Sequence, residues 1–115
     1  MVQPYKDKKR KLFEIQVTLV SMPPLGIAQI SSYLEKTPEW SLEDNGQYIM
    51  RVFEFPDFKT AVEFVDKIVP LANEEEHHPD IRIYDYNKVE VKLTTHSAGG
   101  LTEKDFKVAN EIDKL

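Results

Sequence analysis

The stretch QYIMRVFEFPDFKTAVEFVDKIV, residues 47–69, changes its apolar period once, and that change sets the fold class. From Gln47 to Phe55 the apolar side chains alternate between two faces, with Ile49, Phe53 and Phe55 on one and Tyr48, Met50 and Val52 on the other. A strand apolar on both faces is expected to be covered on both, by helices or by another subunit. Asp57 then stands where a helix cap is needed, and Phe58, Ala61, Val62, Val65, Ile68 and Val69 form one apolar stripe at helical spacing.

Upstream of this stretch, Asp44-Asn45-Gly46 is a strong turn and Trp40-Ser41-Leu42 reads as a short strand. Leu25, Ile30, Tyr33 and Leu34 recur at near-helical spacing, in a helix that opens at Ser21 with Pro23 and Pro24 in its first turn and stops at Thr37-Pro38. Further back, Phe13, Ile15, Val17 and Leu19 alternate with Glu14, Gln16 and Thr18, which predicts an extra N-terminal strand behind a frayed basic leader. Downstream, the helix of Asp57 runs through Leu71 and Ala72 into Asn73-Glu74-Glu75-Glu76-His77-His78-Pro79. Residues 81–85 and 87–95 are two more strands around Asn87, and Gly99-Gly100 breaks the chain. Thr102 opens a last helix with Phe106, Ala109 and Ile112 inward. The order β-α-β-β-α-β-β-α gives an α+β domain with helices packed on one face of an antiparallel sheet. Residues 1–21 form the leader and extra strand, and residues 22–115 the domain proper.

A chain of 115 residues suits one compact core, with 41% hydrophobic residues to fill it. A site on so small a domain is expected to be an open groove or to be completed by a neighbouring subunit. Residues 1–20 hold five bases (Lys6, Lys8, Lys9, Arg10 and Lys11) against Asp7 and Glu14, a balance of +3. With −5 overall, the remainder carries −8. An acidic body argues against direct nucleic-acid binding, which needs clustered Lys and Arg. There is no cysteine, so disulfides and thiolate metal sites are excluded. No apolar run approaches the roughly 20 residues of a membrane span, and a cytoplasmic protein is expected.

All three histidines fall between positions 77 and 96. Pro79 disfavours helical geometry at His78, so the helix should end near His77. With His78 extended, the two rings are free to face a common ligand, although on local grounds alone His-His-Pro reads first as a polar helix stop with no chemistry. By parity, Val89, Val91, Leu93 and Thr95 share one face of the last strand. His96 joins Glu90, Lys92 and Thr94 on the other, as a site residue or a solvated strand end. Asp105 has the spacing of a capping box with Thr102. Glu74, Glu75, Glu76 and the histidines have metal-ligand chemistry, but their spacing matches neither His-Glu-x-x-His nor a facial triad. Ser97 lacks a nucleophile elbow.

Taken in order, Glu76-His77-His78-Pro79-Asp80, Tyr86-Asn87-Lys88-Val89, Leu93-Thr94-Thr95-His96 and Gly99-Gly100-Leu101-Thr102-Glu103-Lys104-Asp105-Phe106 resemble the signature of the pterin-4a-carbinolamine dehydratases, as does 51–58 with Ala61 and Phe64. The likeness spans about residues 22–115. It implies a four-stranded antiparallel sheet flanked by helices and assembly as a homodimer or homotetramer. It also implies dehydration of 4a-hydroxytetrahydropterin to quinonoid dihydropterin, which recycles the tetrahydrobiopterin of aromatic amino acid hydroxylases. The family's catalytic histidines carry over to His77, His78 and His96, and its aspartate to Asp105; Glu76, Pro79 and Thr95 lie in the same motifs as substrate contacts. Groups titrating near neutrality suit that reaction, so no metal or redox cofactor is expected.

The chain departs from the pattern in three places. Asn73 stands where many members have an acidic residue, with Glu74 beside it as a substitute. Asp80-Ile81 stands near the family's tryptophan, and Ile81 to Asp85 is one residue longer than in the animal form. The competing function is a non-catalytic module, since some relatives act as dimerisation cofactors of a transcription factor; an assembly helper for a pterin enzyme is a third possibility.

Overall fold

The computed structural model describes residues 23–115; the N-terminal strand expected over 12–20 lies outside them. The described elements are α1 (Ile27–Lys36), β1 (Ser41–Glu43), β2 (Tyr48–Glu54), α2 (Phe58–Glu75), β3 (Asp80–Tyr84), β4 (Lys88–Leu93), a 3-10 turn (His96–Ala98) and α3 (Glu103–Asp113). The four strands form one antiparallel sheet, as expected, and the structure gives their order as β1-β2-β4-β3.

Local chemistry sets these boundaries. Asp44, Asn45 and Gly46 take three successive left-handed conformations and return β1 onto β2, pairing Glu43 with Tyr48. Asp57 caps α2 by accepting from the Thr60 N–H at 2.8 Å and the Thr60 hydroxyl at 2.6 Å. The first helix opens later than the prolines suggest. The Leu25 N–H donates to the Leu101 carbonyl at 2.8 Å, which holds that segment outside the helix, and Gly26 becomes the N-cap. The β3–β4 loop is tied to the end of β2, because the Asn87 side-chain amide donates to the Phe55 carbonyl at 2.8 Å.

On the sheet's inner face, Ile49, Val89, Val91 and Leu93 meet Ala61, Phe64 and Ile68 of α2 and Phe106, Ala109 and Ile112 of α3. The stripe of α2 is rotated from the expected one: Ala61, Phe64, Ile68 and Ala72 are buried, whereas Phe58 and Val69 are 55% and 50% exposed. Trp40 donates to both carboxylate oxygens of Asp113, which also pairs with Arg51 at 2.8 Å, so β1, β2 and the end of α3 are joined. Among the described residues only one face of β2 is covered by helices. On the other, Val52 is 40% exposed, Lys92 lies over the Tyr48 ring at 4.5 Å, and Arg82 pairs with Glu90 at 2.9 Å.

Two measurements test this account. Phe106 is 1% exposed and stacks on Tyr33 with centroids 4.9 Å apart, so Phe106→Ala should cost about 3–5 kcal/mol by denaturant unfolding. The hydroxyl and N–H of Thr60 hold the Asp57 carboxyl below its usual range. A carboxyl whose pKa falls on folding adds stability that is fully present above the unfolded value and is lost as pH falls through the folded one. Asp57→Asn should therefore flatten the acid limb of the stability profile, and an unchanged limb would refute the cap's electrostatic share.

Candidate active site

The site begins where α2 stops. Glu76 takes a left-handed conformation (φ 52°, ψ 41°), its N–H donates to the Asn73 carbonyl and the N–H of His77 donates to the Ala72 carbonyl. This is the Schellman arrangement, with glutamate where glycine is usual. The helix thus ends at Glu75, two residues before the expected His77. The turn separates two neighbouring side chains, leaving His77 at 9% exposure and His78 in solvent.

His77 is held by Asp105. Its Nε2 lies 2.5 Å from Asp105 Oδ1, and the carboxylate is fully buried. The other oxygen, Oδ2, accepts the Thr102 N–H at 2.9 Å and the Thr95 hydroxyl at 2.7 Å. Thr95 spends its proton on Asp105, so the Thr102 hydroxyl is the donor in their mutual 2.9 Å contact. Burial of a carboxylate is tolerable only with such partners. In neutral His77 the Nε2–H donates to Asp105, which leaves Nδ1 as the free nitrogen. The expected contact of capping box and Asp105 is present: one oxygen caps α3 and the other orients the ring. Thr95, expected as a substrate contact, uses its hydroxyl to hold this carboxylate.

His96 is exposed for a different reason from strand parity. The alternation holds from Val89 to Leu93, where β4 ends. The Thr94 hydroxyl then donates to the Gln47 carbonyl at 2.7 Å, Thr95 bridges to Gly100, and His96 opens the 3-10 turn that Gly99 closes at φ 77°. His96 lines a depression of about 240 Å3 with Tyr48, Thr94 and Gly100. His78 lines a separate crevice of about 130 Å3 with Ile68, Val69, Pro79 and Ile81. Its Nε2 lies 2.9 Å from Asn73 Oδ1.

The three histidines therefore do not share one partner. His77 and His96 are linked through Asp105 and Thr95, the residue before His96, whereas His78 turns to Asn73. Glu76 is exposed at the helix end and Pro79 lines the crevice of His78. The link from Asn73 to His78 was missed in the sequence, although a helix stop three residues after Asn73 is the signal for it. Among the described residues no three His, Asp or Glu side chains are grouped to hold a metal ion, and no helix is long and apolar enough to cross a membrane.

Residues 23–115 match the family model described as pterin 4 alpha carbinolamine dehydratase. The chain belongs to this family. A relative from Chloroflexus aggregans is 48% identical over 94 residues, covering 82% of this chain and 98% of that one. One from a Picosynechococcus species is 52% identical over 87 residues, covering 76% and 91%. Both are named provisionally as pterin-4-alpha-carbinolamine dehydratases. A solved structure from Brucella melitensis, described as a transcriptional coactivator/pterin dehydratase, is 34% identical with a TM-score of 0.74, over 79% of this chain and 96% of that one. A pterin dehydratase-like protein described as a RuBisCO assembly factor is 19% identical with a TM-score of 0.56, over 66% and 87%, and shows the shared fold alone. The family membership agrees with the resemblance carried by the motifs, and the Brucella structure matches the four-stranded α+β architecture.

The shared carboxylate makes a testable claim for this family member. Asp105→Ala should cost about 3 kcal/mol or more, because three donors lose their acceptor in a buried place. Asp105→Asn keeps one carbonyl for Thr95 and Thr102 but sets an N–H against His77, so it should cost less while forcing the ring to exchange its tautomer. Urea unfolding and imidazole 15N shifts check the two effects separately; equal losses for both variants would contradict this division.

Proposed function

We propose that this chain dehydrates 4a-hydroxytetrahydropterin to quinonoid dihydropterin by histidine acid–base catalysis, recycling tetrahydrobiopterin for aromatic amino acid hydroxylases. The observation that carries the proposal is the buried Asp105 carboxylate against His77 Nε2. The reaction expels the 4a-hydroxyl as water. It needs one proton delivered to the leaving oxygen and one removed from a ring nitrogen, so the books balance without oxidant or reductant.

His77 suits the base. Nδ1 is its unprotonated nitrogen in the neutral ring, and the imidazolium formed when it takes the ring proton faces a carboxylate held in place by two threonines. His96, solvent-exposed on its turn, suits the acid because bulk water restores its proton after each turnover. His78 suits the orientation of the pterin beside its apolar crevice, which Pro79 also lines, with exposed Glu76 close by in the chain as a further contact. A cytoplasmic homodimer or homotetramer goes with this reading, and light scattering on the full chain measures the oligomer. The Brucella relative's description as a coactivator favours a second, non-catalytic role, and the two roles are compatible.

Decay of carbinolamine absorbance tests the assignment. His77→Ala and His96→Ala should each lower kcat by about 10²–10⁴, and His78→Ala should act mainly on KM. If the wild type leaves the uncatalysed rate unchanged, the enzymatic reading fails. If His77→Ala loses binding and keeps turnover, the roles of His77 and His78 are reversed.

A further inference from the structure

We infer that Asn73 is a positioning residue that aims His78 at the pterin as a neutral hydrogen-bond acceptor; the inference rests on the proposed role of His78. The two residues are five apart, a spacing that does not bring side chains together on an intact helix, where three and four do so. They meet because Glu76 turns the chain back at the end of α2, which sets His78 Nε2 2.9 Å from Asn73 Oδ1.

The chemistry of the pair gives the inference its content. An amide oxygen only accepts, so His78 spends its Nε2–H on Asn73, and in the neutral ring this leaves Nδ1 as the acceptor. Reduced pterins carry N–H and amino donors on the pyrimidine ring, which is the class of group Nδ1 recognises. A carboxylate at position 73 would hold the same edge of the ring but add a negative charge that favours imidazolium, which cannot accept. Asn73 fixes the ring without that charge. Ile68, Val69, Ala72, Pro79 and Ile81 line the same crevice, so the flank of the site is apolar and His78 and Asn73 supply its polar groups. Glu74, named in the sequence as the substitute acid, is exposed on the neighbouring helix position, and the contact is made by Asn73 instead.

The test uses the full chain, a reduced dihydropterin titrated by fluorescence, and steady-state turnover. Asn73→Leu removes the acceptor at nearly constant size and should weaken dihydropterin binding and raise KM by about two- to tenfold, the range of one hydrogen bond, with a smaller effect on kcat. Asn73→Asp keeps an acceptor oxygen but adds the charge that favours imidazolium, so it should hold the ring yet bind dihydropterin less tightly than the wild type. Binding equal to the wild type would overturn the neutral-acceptor role. In a His78→Ala background Asn73→Leu should add nothing, since it acts through His78. Asn73→Leu binding like the wild type, or weakening binding as much without His78 as with it, overturns the inference. Absent turnover in a wild type that still binds dihydropterin sinks the enzymatic reading and leaves the binding series to decide on Asn73. A wild type that does not bind dihydropterin overturns both.

Discussion

One carboxylate without solvent contact connects the parts of this fold that matter. Asp105 stands at the third position of α3, where its Oδ2 closes the helix start by accepting the Thr102 N–H. The same oxygen receives Thr95 from the chain just after β4, and Oδ1 receives His77 from the end of α2. Three segments, the end of α2, the chain after β4 and the start of α3, are thereby fixed to one group. A buried charge with three donors is stable, whereas one with fewer is not, so each segment's position depends on the others. Aspartate rather than the more usual glutamate fits this duty, because the short side chain keeps one oxygen over its own helix cap while the other reaches the histidine.

Much of this was legible beforehand where a local rule has a single outcome. The alternation from Val89 to Leu93, the turn at Asp44 to Gly46, and the caps Asp57 and Thr102 each depend on a few adjacent residues. The rest depended on tertiary choices. Two neighbouring apolar lines run along residues 58–72, both containing Ala61 and Ile68; only contact with the sheet selects the one through Phe64 and Ala72, leaving Phe58 and Val69 outside. The prolines at 23 and 24 permit a helix, but the bond from Leu25 to Leu101 competes successfully for that backbone. His96 was correctly placed outside the core, though by the 3-10 turn and not by the strand. The separate anchors of His77 and His78, Asp105 for one and Asn73 for the other, were not foreseeable from Pro79, because they follow from a left-handed residue just before the pair.

Family membership narrows the chemistry more than the fold does. The RuBisCO assembly factor shares the architecture at 19% identity, so the sheet and helices alone do not select a reaction. What a relative at about half identity retains or replaces at the ends of α2 and β4 is therefore more informative than its overall likeness. Here those ends carry His77 and His78 after α2 and His96 beyond β4, with Asn73 in the last turn of α2.

The left-handed turn at Glu76 gives the adjacent histidines different lives. They are the same amino acid, separated by one peptide bond, yet one imidazole is anchored to a buried anion and the other to a neutral amide. No property of the residue type distinguishes them; the difference between their anchors is written in the backbone. A one-residue insertion or deletion between Asn73 and His77 would thus reassign the two rings without altering a single histidine. Length in this short segment is under as strict a constraint as identity.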